Sequence, residues 1–255
     1  MGSTILVTGN KGYIGSHLLY HVSRLKTTIY YRDLKDGMGM DFGTMSGYFF
    51  DTVIHLGAHA SVTQSMLDPD ECFENNAFKL IPFLQNNKIG KFIFTSTGGA
   101  IYGDKLNAKE EDATWAGCIS PYGQSKYLAE KIIRRMHSNH CILRLGNVWG
   151  GQDSNRLELA MHAHFKKDDP IVVYGGTQIR DFVHVETVCK AIMKVIELDV
   201  TGTFNIGGGQ RRIDDIAREY AVGRNVAIEY KPARQGEIDQ VSLDITKAQK
   251  AGLLS

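Results

Sequence analysis

Short, solid apolar runs alternate with longer stretches of helical periodicity along the first half of the chain. Ile5, Leu6 and Val7 form a run that ends in Thr8 and Gly9, the pattern of a strand buried on both faces. Residues 16–26 then place Leu18, Leu19, Val22 and Leu25 on one helical stripe. Residues 28–32 are β-rich and end at Asp33, and residues 51–56 read as another strand. The pattern predicts a helix over 70–86, a strand over 91–95, a long amphipathic helix over 122–137 and a strand over 141–145. Such strand–helix alternation implies an α/β fold with a parallel, doubly wound sheet of the Rossmann type.

After Asn147 the pattern is less regular. Glycine-rich turns at 150–151, 175–176 and 207–209 separate short strands from helices, with a helix over 185–198, a strand over 203–206 and a helix over 213–220. The expected organisation is a dinucleotide-binding domain over 1–148 and a smaller substrate-binding lobe over 149–255. The helix and strand near 185–206 return to the first domain. Residues 36–49, rich in Gly and Met, read as a loop with at most one short helix.

Composition narrows the function classes. With 255 residues, 43% hydrophobic and 22% charged, the chain is globular and long enough to bury a sizeable core. A net charge of +1 argues against a nucleic-acid partner, which calls for a basic excess. Cys72, Cys118, Cys141 and Cys189 form no C-x-x-C pair, so a zinc ribbon or redox motif has no support and a reducing compartment is expected. No apolar run of transmembrane length occurs, and the first strand is too short for a signal h-region, so the expectation is a soluble, cytoplasmic protein. His17/His21 and His55/His59 stand at i, i+4 but lack companion carboxylates or cysteines, which favours packing over a metal site.

Two motifs carry chemistry. Gly9, Gly12 and Gly15 follow the first strand and open the first helix at Tyr13 and Ile14. Gly9 permits a tight turn, Gly12 lets backbone approach a pyrophosphate, and Gly15 lets helix and strand pack closely. The helix N-terminus adds unpaired N–H groups and partial positive charge for the phosphates. Asp33, at the end of the second strand, suits the adenosine ribose hydroxyls and favours NAD, although the adjacent Arg32 could pair with a 2′-phosphate. The second motif is Tyr122-x-x-x-Lys126, whose spacing puts both side chains on one helical face, where an ammonium stabilises a phenolate.

Val7-Thr8-Gly9 through Ile14-Gly15-Ser16-His17, together with Tyr122-x-x-x-Lys126, resembles the extended short-chain dehydrogenase/reductase family, in its nucleotide-sugar epimerase and dehydratase branch. The resemblance implies an NAD-dependent enzyme. Tyr122 would be the base and Lys126 its partner and a cofactor ligand. Thr97, with Ser96 as runner-up, would hydrogen-bond the reacting sugar hydroxyl. It further implies cofactor contacts from Asp41 and Phe42 at the adenine, from Leu56, Gly57 and Ala58 where the chain passes over the dinucleotide, and from Asn76. On the substrate side it points to Asn147, Arg180 and Arg234 for the diphosphate and Tyr174 for the nucleobase, while Asp181 and His184 hold the loop.

Two departures from the family stand out: the stretch between Asp33 and Asp51 is short, and the C-terminus stops earlier than in relatives. The activity implied is a C4 epimerase for a UDP-hexose, working through a 4-keto sugar. Gly98 and Gly99 stand where dehydratases of the branch carry an Asp-Glu pair, which argues against dehydration. A reductase or dehydrogenase with net redox change, and a non-catalytic dinucleotide-binding regulator, are the competing readings. The resemblance also implies a homodimer formed by the helices from about Asp70 and from Tyr122.

Overall fold

The computed structural model describes residues 3–33, 42–150, 170–234 and 238–255. The chain opens with β1 (Thr4–Thr8), α1 (Tyr13–Val22), β2 (Thr28–Arg32) and, past a short turn at Phe42–Thr44, β3 (Phe49–His55). The helices α2 (Val62–Leu67) and α3 (Pro69–Phe73) lead through a π-helical stretch, Glu74–Phe78, into α4 (Leu80–Asn86) and β4 (Lys88–Thr97). β5 (Lys105–Ala108), the long α5 (Pro121–Met136), β6 (His140–Leu145) and β7 (Asn147–Trp149) follow. The remainder holds β8 (Ile171–Tyr174), β9 (Ile179–His184), α6 (Val185–Leu198), β10 (Gly202–Ile206) and β11 (Gln210–Arg212). Last come α7 (Ile213–Arg224), β12 (Ile228–Lys231), β13 (Val241–Leu243) and α8 (Thr246–Lys250).

Six strands form the central sheet in the order β2-β1-β3-β4-β6-β10, parallel throughout. The order reverses between β1 and β3, which opens a crevice at their C-terminal ends, the usual ligand position in such sheets. Successive residues of β4 face opposite ways. Ile93 joins the core under α1 and α6, while Phe92 and Phe94 join the core under α4 and α5. Three smaller sheets, β11-β9-β7, β12-β8 and β13-β5, accompany it among the described residues. No helix among the described residues is long and apolar enough to cross a membrane.

Two helices differ from their periodicity. The stripe predicted to reach residue 26 ends at Val22, because Arg24 and Leu25 bond back three residues and tighten the chain toward β2. The helix predicted over 70–86 is broken by the π-helical stretch, where Lys79 N–H bonds the Glu74 carbonyl. Pro82 follows in α4; its ring crowds the carbonyl four residues back, and the wider turn accommodates it. Within 36–49, the described part contains the one short turn at Phe42–Thr44. Asp41 lies outside the described residues.

Candidate active site

Two clefts meet along the crevice. One, of about 320 Å³, is walled by Thr8, Gly9, Gly12, Arg32, Asp33, Phe42 and the segment from His55 to His59. The other, of about 310 Å³, holds Thr97, Tyr122, Lys126, Asn147 and Arg180. Leu56 and Ala58 line both.

The first cleft is shaped by absent side chains. Gly9 has φ +71°, and a Cβ there would lie 2.6 Å from the Gly57 nitrogen. A Cβ on Gly15 would lie 2.2 Å from the Gly9 carbonyl oxygen. The turn is tied by Gly9 N–H to the Arg32 carbonyl at 2.8 Å and Gly12 N–H to the Gly9 carbonyl at 3.0 Å. One Asp33 carboxylate oxygen accepts the Lys11 N–H at 2.8 Å, so Asp33 braces the glycine turn as well as lining the cleft. Phe42 stacks between His55, at 4.5 Å, and Phe83, at 3.9 Å. Burial drives the His55 imidazole down to about 3, assisted by Lys126, so the ring is neutral. Tyr13 sends its hydroxyl to the Gly150 carbonyl at 2.5 Å, while Ile14 lines the second cleft.

The second cleft is built where α5 begins. Ser120 caps the helix by accepting Gly123 N–H at 3.2 Å, and Pro121 fills the first turn. Ser65 of α2 accepts the Tyr122 N–H at 3.1 Å, a contact that no sequence signal announced. A Cβ on Gly123 would stand 2.2 Å from the Ala100 carbonyl oxygen; its absence lets the helix approach the strand end that carries Thr97. Thr97, beside the Tyr122 phenol, acts to lower its value, yet burial outweighs that effect and pushes the phenol up to about 12. Lys126 is 2% exposed, and burial brings its ammonium down to about 7 against the opposing pull of Glu130. Its Nζ rests over the Phe94 ring, 4.1 Å from the centroid. Ser96 Oγ, also in the lining, is buried without a hydrogen-bond partner.

The other expected site residues are placed as follows. Asn76 is 1% exposed and lines neither cleft. Its amide accepts His59 N–H at 2.8 Å and donates to the His59 carbonyl and to Ser125 Oγ, both at 3.0 Å. It thus joins the segment over the crevice to α5. Arg180 lines the second cleft and donates to the carbonyls of Ile179, Ile238 and Asp239. Tyr174 and Arg234 pair with each other, guanidinium over ring at 3.9 Å, outside both linings. Asp181 holds the loop by accepting N–H groups of Gly208 at 2.9 Å and Leu243 at 3.1 Å. The described lining of the second cleft carries two cations, Lys126 and Arg180, and no carboxylate, which suits an anionic ligand.

The NAD dependent epimerase/dehydratase family model matches residues 5–207. The chain belongs to this family. Among its family relatives, a putative UDP-glucose 4-epimerase of Methanocaldococcus jannaschii is 30% identical, over 97% of this chain and 92% of that protein. A UDP-glucose 4-epimerase of Thermotoga maritima, solved with UDP-glucose, superposes with a TM-score of 0.80 at 27% identity, covering 98% of this chain and 92% of that one. A UDP-N-acetylglucosamine 4-epimerase of Methanobrevibacter ruminantium, solved with UDP-N-acetylmuramic acid, gives a TM-score of 0.80 at 26% identity with the same coverage, 98% and 92%.

Proposed function

We propose that the protein is an NAD-dependent nucleotide-sugar epimerase that inverts C4 of a UDP-hexose through a transient 4-keto sugar. The observation that carries this reading is the convergence of Thr97, Tyr122 and Lys126 on a cleft that adjoins a second one walled by Gly9 and Gly12. The residues fit the cofactor: the glycine turn has no room for Cβ atoms at Gly9 or Gly15, and Asp33, Phe42, Leu56, Gly57 and Ala58 line the same crevice. NAD, when bound there, supplies a hydride acceptor at the sugar C4 and a positive charge that favours the phenolate.

The chain's own groups then have defined tasks. Tyr122 takes the proton of the sugar 4-hydroxyl and returns it after the ring has turned over. Thr97, in the same cleft as the phenol, holds that hydroxyl in line. Lys126, in its protonated form, opposes the burial that keeps the phenol protonated, and burial brings its own value down to about 7, so both forms are accessible near neutrality. Asn147 and Arg180, which line the second cleft, anchor the diphosphate. A dehydratase needs an acid for loss of water, and the described lining offers no carboxylate.

The four cysteines are free thiols and buried, which supports a reducing, cytoplasmic setting. A second copy is the proposed partner. Phe73, Phe78 and Leu128 form an apolar strip, flanked by Asp70, Glu71 and Glu74, in a groove on α3, the π-helical stretch and α5, and Phe78 is 46% exposed.

Incubation of the purified protein with UDP-galactose and catalytic NAD should yield UDP-glucose, and Tyr122→Phe should abolish it. Full activity in that variant refutes the assignment of the base. NADH formed in step with substrate favours a dehydrogenase instead.

A further inference from the structure

Helix α5 carries Tyr122 and Lys126, and much of its hold on the sheet is apolar, with Ala129 and Ile133 packed against Phe92 and Phe94. Apolar contact is non-directional and does not by itself fix how far a helix slides or turns. Neutral bonds from Ser65 and Asn76 fix the first turns of α5, and Arg134 reaches Thr203 at its exposed side. The fully buried, charged tie lies deeper in the same helix, where Glu130 also accepts from Arg134 at 2.9 Å. Glu130 is 0% exposed and Arg144, on β6, is 1% exposed. Arg144 grips both carboxylate oxygens, Nε to Oε1 at 2.9 Å and Nη2 to Oε2 at 2.6 Å. Its Nη1 donates to the Tyr102 hydroxyl at 2.9 Å and to the Glu110 carbonyl at 2.6 Å. Tyr102 in turn donates to Asn205 Oδ1 at 2.6 Å, and Asn205 stands opposite Arg144 where β10 pairs with β6.

Each arm of this network runs into a site residue. Glu130 follows Lys126 by one helical turn. Tyr102 lies in the segment that leaves β4 just after Thr97. Arg144 precedes Asn147 near the end of β6. We propose that the buried Glu130–Arg144 fork, locked by Tyr102 and Asn205, is the positioning element that holds Tyr122 and Lys126 in register with Thr97 and Asn147. This rests on the functional reading above. A bidentate ion pair with every arm bonded sets both distance and rotation, which packing alone does not. The fork also acts on Lys126 electrically. The groups that bear on Lys126 are His55 from β3, Cys72 from α3 and Glu130 from its own helix. His55 is neutral and burial keeps the Cys72 thiol protonated, which leaves Glu130 as the charged neighbour.

The test uses full-length, NAD-loaded protein with Tyr102→Phe and with the charge-neutral pair Glu130→Gln/Arg144→Gln. A misplacement near 1 Å predicts a kcat loss of roughly 10²-fold in the pair, with a smaller loss in Tyr102→Phe. KM for the UDP-sugar and the NAD affinity stay within about twofold, since the fork touches neither ligand cleft. The Tyr122 phenol, read as tyrosinate absorbance against a Tyr122→Phe blank, titrates at higher pH in both variants than in wild type. Unchanged kcat and unchanged phenol titration in both overturn the proposal, as does a kcat loss matched by an equal loss of NAD affinity. Should the paired variant not fold, Tyr102→Phe decides. If the wild type interconverts no UDP-hexose, the functional reading fails, while the phenol titration still decides the positioning role.

Discussion

Replacing Gly12 by alanine separates the approach of a cofactor from the stability of the fold. Gly12 caps α1 with φ −75° and ψ 174°, a conformation any L-residue adopts. A Cβ there meets a single protein atom within 4 Å, the Gly9 carbonyl oxygen at 3.1 Å. That contact is relieved by a few tenths of an ångström, and the lower entropy of the unfolded alanine chain offsets its cost. The stability of the cofactor-free protein should change by no more than about 1 kcal/mol.

The methyl group nevertheless enters the cleft that Gly12 lines, where backbone N–H groups are to meet a pyrophosphate. Losing one hydrogen bond to a charged group removes about 1.5–3 kcal/mol, or roughly 10- to 150-fold in Kd. Calorimetric titration of NAD into wild type and Gly12→Ala, beside urea unfolding of both without NAD, reads the two effects apart. Equal NAD affinity in a stably folded Gly12→Ala protein would refute the placement of the pyrophosphate.

Four further outcomes follow from the same coordinates. Gly15→Ala should destabilise the protein itself by about 1–3 kcal/mol in urea unfolding, because its Cβ would sit 2.2 Å from the Gly9 carbonyl oxygen and the backbone must move. Lys126→Met should be the more stable protein at neutral pH. Burial lowers the Lys126 value from 10.5 to about 7, so the unfolded chain binds a proton between those limits that the folded one does not, and wild-type stability rises with pH through that window. The advantage of the variant, at most about 4 kcal/mol, should fade by pH 10.5, and a pH-independent difference in urea midpoints would contradict it. Asp181→Asn should cost about 1–3 kcal/mol in thermal unfolding, since the amide turns an NH₂ toward N–H groups that the carboxylate accepts. Phe78→Glu should shift the light-scattering mass from two chains to one, and an unchanged mass would argue against that face as the contact.

What the sequence disclosed follows physical range. Strands buried on both faces and helices with a clean stripe announce themselves locally, and β1, β6 and α6 lie where their apolar patterns put them. The fold class followed from their alternation. The glycine turn was equally legible, because steric exclusion at Gly9 and Gly15 is a property of short local spacing. Features that depend on distant partners were not. β5 and β13 have 4 and 3 residues, too few for a pattern, and pair across more than a hundred positions. Ser65 reaches the Tyr122 N–H from a six-residue helix with no recognisable stripe. The spacing Tyr122-x-x-x-Lys126 put both residues on one face, yet gave no sign that burial would set the phenol and ammonium so far from their ordinary values.

The central claim, hydride removal and return at C4 with Tyr122 moving the hydroxyl proton, is tested most directly by isotope tracing. A UDP-hexose carrying deuterium at C4 is incubated with the protein and catalytic NAD, and the product is read by NMR. The account predicts the C4 epimer with deuterium kept at C4 and no label from solvent. Loss of the deuterium to water, or its appearance in NADH that accumulates in step with substrate, would contradict it.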